Sequence, residues 1–160
     1  MNLPVQTATG QLGLTRTYPG TADQVRQVRD DLSRVLDGCP AADDVILCAS
    51  ELATNAIQHS RSREPGGTLT VRCEISHGSH VRLQVEDHGG PWPEPSPDPA
   101  RGRGLAIVRA LANGFTITAN DSGRIVSATL HWPSAQPSAQ ALCQPFAAWR
   151  DNGASDDNYH

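Results

Sequence analysis

Between Leu69 and Val85 apolar side chains fall on every second position: Leu69, Val71, Cys73 and Ile75, then, past a turn at residues 77–79, Val81, Leu83 and Val85. A period of two belongs to β-strands, whose successive side chains point to opposite faces. The residues between them are polar, so this hairpin needs a cover on one face only. Segments of helical period supply it. Val25, Val28, Leu32 and Leu36 follow Thr21-Ala22-Asp23-Gln24, which reads as a capping box with Thr21 at N-cap and Gln24 at N3. That first helix closes near Gly38 and Pro40. A second is predicted over residues 41–59, with Asp43 and Asp44 in the first turn, where the helix dipole favours them. A third opens in GRGLAIVRALA, where Leu105, Ile107, Val108 and Leu111 share a face, and a second hairpin joins residues 115–118 to 125–130 across Asn120-Asp121-Ser122-Gly123. The order ααββαββ predicts an α+β fold, a two-layer sandwich with helices on one face of a mostly antiparallel, mixed sheet.

A chain of 160 residues suits one domain. The patterned part is residues 15–133, preceded by an arm, 1–14, and followed at 134–160 by a Ser/Ala/Gln/Pro- and Asp-rich stretch expected to be a mobile tail, in which Phe146 and Trp149 could dock. A net charge of −4 without a basic block argues against direct nucleic-acid binding. No stretch is apolar enough to span a membrane and the N-terminus lacks a signal-peptide pattern, so a soluble cytoplasmic protein is expected. Cys39, Cys48, Cys73 and Cys143 form no CxxC pair, so neither a disulfide nor a zinc site is expected. All 13 basic residues are arginine. A Walker A loop and a eukaryotic-type protein kinase each need a lysine on the phosphates, and both are excluded. GRGLAI does not fit a dinucleotide fingerprint either: Ile107 takes the third glycine position and the preceding segment is Pro-rich.

The second helix contains a puzzle. In ELATNAIQHS, residues 51–60, Glu51 and Asn55 stand one turn apart on one stripe, while Val45, Ala49, Leu52 and Ala56 occupy another that can go to the core. For an isolated ExxxN a solvated surface is the default reading. The neighbouring motifs change that reading. A core strand ends in Val85-Glu86-Asp87-His88-Gly89-Gly90, and Gly102-Arg103-Gly104-Leu105 opens the third helix.

In that order the three motifs resemble the N box and the two glycine boxes of the Bergerat-fold (histidine-kinase-like) ATPases, most of all the bacterial anti-sigma-factor serine/threonine kinases, over about residues 15–132. The resemblance implies ATP and Mg²⁺ as ligands. It assigns Asn55 to the metal ion and Glu51 to the role of general base. Asp87 would accept a hydrogen bond from the adenine amino group, with Gly89 letting the base approach. Gly102 and Gly104 would fold the lid over the phosphates and, with Leu105, present N–H groups at the helix start, Arg101 and Arg103 serving as local cations. The pattern departs from the family at Pro91, where the first glycine box usually continues with glycine, and at Ile125, where a strand threonine usually falls. Alternate residues from Pro91 to Pro99 are proline, which favours a stiff lid. The implied function is phosphorylation or sequestration of a small regulatory protein of the anti-anti-sigma kind, with a sigma factor as a further partner. The alternative is a nucleotide-loaded binding module with little or no phosphotransfer. The first helix and the nearby sheet edge offer surfaces for a homodimer.

Overall fold

The alternating segments form the floor of a five-stranded sheet. The computed structural model describes residues 12–76, 78–90 and 103–132; the Pro-rich lid, Cys143, Phe146, Trp149 and the expected tail lie outside them. In chain order the elements are β1 (Leu12–Pro19), α1 (Gln24–Val35), α2 (Ala42–His59), a single 3₁₀ turn (Arg61–Arg63), β2 (Thr68–Ser76), β3 (His80–Asp87), α3 (Arg103–Leu111), β4 (Gly114–Asn120) and β5 (Gly123–His131). The strands lie in the order β1-β2-β3-β5-β4. Every pairing is antiparallel, so the sheet expected to be mixed is antiparallel throughout its described strands.

One face of this sheet carries the core. Leu69, Val71, Cys73 and Ile75 of β2, Val81, Leu83 and Val85 of β3, and Val126, Ala128 and Leu130 of β5 are all buried, and they meet Val45, Cys48, Ala49, Leu52, Ala53 and Ala56 of α2. Helix α1 adds Val28 and Leu32, and α3 adds Val108. The opposite face is polar, with Arg72 donating to Glu86 at 2.7 Å and Gln84 to Ser127 at 3.1 Å. Asn120 closes the β4–β5 turn by accepting from the N–H groups of Ser122 and Gly123. Cys39, Cys48 and Cys73 are free thiols. Burial above all pushes Cys48 up to about 11 and Cys73 up to about 12, with nearby acidic groups adding to the shift. Among the described residues no helix is long and apolar enough to cross a membrane.

Two further details differ from the sequence expectation. The capping box does not form. Instead a turn precedes α1, in which the Gln24 N–H donates to the Thr21 carbonyl at 3.0 Å, and Asp23 occupies the N-cap without a side-chain cap. The second difference is β1, an edge strand that takes in Leu12 and Leu14 from the presumed arm and pairs with β2 from Leu12↔Ile75 to Pro19↔Thr68. It was illegible as a strand because its inward positions are Leu14, Arg16 and Tyr18, and the arginine breaks the apolar alternation.

Asp31 of α1 is what makes Arg16 acceptable there. Its carboxylate, almost wholly buried, accepts from Arg16 Nη1 (2.5 Å), Tyr18 Oη (2.9 Å), Gln27 Nε2 (3.0 Å) and Arg34 Nη1 (3.1 Å). Burial, then the hydrogen bond to Asp31 and its charge, raise the Tyr18 phenol above its ordinary value. Replacing Asp31 by alanine leaves the buried phenol without an acceptor. Both arginines keep access to water, so the cost is mostly that of the orphaned hydroxyl. Asp31→Ala is expected to lower stability by about 1–3 kcal/mol, and Tyr18→Phe in the same background should add little further loss; urea melts of the two single variants and the double variant check both.

Candidate functional site

Helix α2 divides its surface as the sequence pattern requires. Leu52, Ala53 and Ala56 go to the core, while Glu51 and Asn55 sit half-buried on the flank facing α3. Neither side chain forms a hydrogen bond with another described residue. Half-buried polar groups left without protein partners are unusual, because desolvation without compensation is costly. Something outside the described chain, water at the least, has to satisfy them.

The first turn of α3 closes over this flank. A Cβ on Gly104 would lie 2.6 Å from Glu51 Oε2 and 3.4 Å from Asn55 Nδ2, so the helix can approach the carboxylate this closely only with hydrogen at that position. Gly104 is thereby brought against Glu51 and Asn55, which lie 53 and 49 positions earlier in the chain. Arg103 stands exposed at the start of α3, and Leu105 packs partly against the core. Arg101 and Gly102 lie outside the described residues.

Asp87, the last residue of β3, is 3% exposed. Its Oδ1 accepts the Gly89 N–H at 2.7 Å in a turn that puts Gly89 at φ +66°, a left-handed conformation that glycine adopts without a Cβ penalty. Its Oδ2 takes both Nε (3.1 Å) and Nη2 (2.8 Å) of Arg124, itself 4% exposed. Arg124 faces Asp87 in the β3–β5 register, whereas Ile125 stands opposite Glu86 on the outer face. The strand residue next to Asp87 is therefore Arg124, not Ile125. Sequence reasoning missed it, although a signal was present: Arg124, Val126, Ala128 and Leu130 alternate, so the arginine falls on the buried face, where a charge demands a partner.

The loop after β3 is tied to the end of α2. The Arg61 N–H donates to the Gly89 carbonyl (2.8 Å) and the His88 N–H to Ser62 Oγ (3.0 Å); Ser60 Oγ donates back to the Ala56 carbonyl (2.6 Å) and accepts the Ser62 N–H (3.0 Å). These serines are a second element that the motifs did not reveal. Arg124 Nη2 also lies 3.5 Å from the His59 carbonyl. One flank of α2 thus runs from Glu51 through Asn55 to His59, a rise of about 12 Å, with a carboxylate that has no partner among the described residues at one end and the Asp87 acceptor near the other. An open cavity of about 390 Å³ beside His88 and Asp121 includes none of Glu51, Asn55 or Asp87 and is separate from this flank. No group of three His, Cys, Asp or Glu side chains gathers among the described residues, so a divalent cation here would draw most of its ligands from what it binds with.

The blue-light-activated histidine kinase 2 of Erythrobacter litoralis (strain HTCC2594) is 36% identical over 86 residues, which cover 51% of this chain and 25% of that protein, so the chain spans only about a quarter of the relative's length. A solved structure of the RsbU and RsbW domains of Rv1364c from Mycobacterium tuberculosis has a TM-score of 0.59 at 22% identity, covering 76% of this chain and 33% of that one, a likeness of fold. The model of the histidine kinase-like ATPase domain matches residues 18–130, from the end of β1 almost to the end of β5 and through all three motifs. The chain therefore belongs to the histidine kinase-like ATPase domain family, and that membership implies ATP as its nucleotide.

Proposed function

We propose that the protein is an ATP- and Mg²⁺-dependent serine/threonine kinase of the anti-sigma-factor type, which phosphorylates or sequesters a small regulatory protein in the cytoplasm. The observation that carries this reading is the pair of half-buried groups on α2, Glu51 and Asn55, without a hydrogen-bond partner among the described residues and brought against the first turn of α3 by Gly104. In this reading the base end of ATP lies at Asp87, and its phosphates lie along α2 toward Glu51 and the α3 N-terminus, whose N–H groups favour anions.

The residues fit a bound Mg²⁺. Asn55 offers a hard amide oxygen with no competing hydrogen bond among the described residues, and a single protein oxygen suffices for an ion that keeps phosphate and water as its other ligands. When bound, the ion neutralises charge on the transferring phosphoryl group. The chain's own part is positioning and proton transfer. Glu51 Oε2 takes the proton from the attacking serine or threonine hydroxyl as its oxygen bonds to the γ-phosphorus and ADP departs. Gly104 keeps α3 close enough to hold that carboxylate in place. Asp87 selects the base through an acceptor that suits an amino group and repels a carbonyl.

Single-turnover transfer from labelled ATP to a candidate partner tests the reading. An acid-stable label on serine or threonine is expected; an acid-labile label would indicate histidine chemistry, and binding of ATP and partner without transfer would indicate a docking module. Glu51→Gln should keep Mg·ATP binding and transfer at least about a hundredfold more slowly, the lower bound for a general base. Substantial transfer by that variant would remove Glu51 from the mechanism. Asn55→Ala should weaken Mg·ATP binding with little change in melting temperature. Gly104→Ala meets only the mobile end of Glu51 at close range, so its stability should change by less than about 1 kcal/mol, while displacement of the carboxylate slows transfer; a melt and a rate measured on the same preparation separate the two.

A further inference from the structure

We propose that Arg124 is a positioning residue for base recognition, which sets the protein's preference for a 6-amino purine over a 6-oxo purine by fixing Asp87 as a single, fully committed acceptor. The inference rests on the reading of Asp87 as the base-binding group. An ionised carboxylate offers about four lone-pair positions. Three of them are occupied. Arg124 places Nε and Nη2 both on Oδ2, at 3.1 and 2.8 Å, instead of bridging the two oxygens, and the Gly89 N–H takes one position on Oδ1 at 2.7 Å. One position remains, on Oδ1.

The guanidinium matters in two ways. It is planar and holds Oδ2 while the Gly89 N–H holds Oδ1, and the two anchors together fix the plane of the carboxylate and hence the direction in which the last lone pair points. It also puts a positive charge beside the Asp87 oxygens, which favours their use as acceptors. A 6-amino purine donates into that position. A 6-oxo purine presents an acceptor to an acceptor, and rotation of the carboxylate to relieve the conflict would break the fork. Without Arg124 the buried carboxyl group can turn, its hydrogen-bonding direction is no longer set, and the discrimination should fade.

Burial of the pair means that a plain structural role has to be separated from a positioning one. The experiment measures ATP and ITP affinity, together with melting temperature, for the wild-type protein, Arg124→Met and Arg124→Lys. ITP differs from ATP at the 6-position and the adjoining ring nitrogen alone. The wild type is expected to prefer ATP by at least about tenfold, the effect of one mismatched buried hydrogen bond. In Arg124→Met that ratio should fall toward one. In Arg124→Lys, which keeps the charge but cannot fork, ATP binding should persist with the ratio reduced at least about threefold. Should Arg124→Met fail to fold, Arg124→Lys decides alone. An unchanged ATP-to-ITP ratio in a folded variant overturns the inference, even where the melting temperature drops, because a structural role lowers both affinities together. A wild-type protein that binds neither nucleotide overturns the nucleotide-site reading itself, whereas one that binds ATP with a ratio insensitive to Arg124 overturns this proposal only.

Discussion

The packing of α2 on the sheet is the contact from which the other parts take their positions. The sheet side is made of Val71, Leu83, Val85 and Val126, and the helix side has small residues at its centre, Ala49, Ala53 and Ala56. With aromatics at only 4% of the sequence, a core of this kind gains its stability from close aliphatic contact, and helix separation follows side-chain size. A helix seated this way presents a fixed flank. The burial that holds the core also fixes the backbone positions of Glu51 and Asn55, one turn apart on that flank. Sites carried on rigid elements are more exact than sites on loops.

Among the described residues two carboxylates are buried, and they are bonded differently. Asp31 is saturated by four donors from β1 and α1, and nothing is left over for a ligand. Asp87 is held by a cation on the neighbouring strand and by one backbone N–H, an arrangement that anchors it and still leaves an acceptor. Both place a charge where desolvation is expensive, and both resolve the cost through arginine. In a chain whose basic residues are all arginine, planar guanidinium groups are available for this and ammonium groups are not.

Much of this was legible in the sequence, for a physical reason: strands β2, β3 and β5 and helices α1 to α3 are each half-buried, and half-burial writes a period into the chain. The N box and the glycine boxes stood out by their order along the chain and not by residue type, since Glu and Asn on a helix read by default as solvated surface. What escaped was decided by partners distant in sequence. β1 has Arg16 on its inner face, acceptable only because Asp31 waits on α1; a local pattern cannot show that. Arg124 was in view on a buried stripe, but its partner lies at the end of another strand. Ser60 and Ser62 act through geometry at the end of α2, which composition does not encode. The Thr21 cap failed for a related reason: the chain turns once before the helix begins, and a backbone carbonyl takes the place that the side chain was expected to fill.

The place of β1 in the sheet bears on the order in which the molecule assembles. The β2–β3 and β4–β5 pairs are hairpins closed by short turns, whereas β1 reaches β2 across two helices, with Thr17 and Thr70 in contact at a separation of 53 residues. It is also an edge strand, with one neighbour to hold it. Closing a long loop for a single ladder is the step with the smallest immediate return, so β1 is expected to join last and to leave first. Contacts made after the transition state slow unfolding without speeding folding. On that order the Asp31 cluster works as a kinetic latch: it lengthens the lifetime of the closed sheet, which the unfolding limb of a chevron reports, and leaves the rate of first assembly to the hairpins and α2.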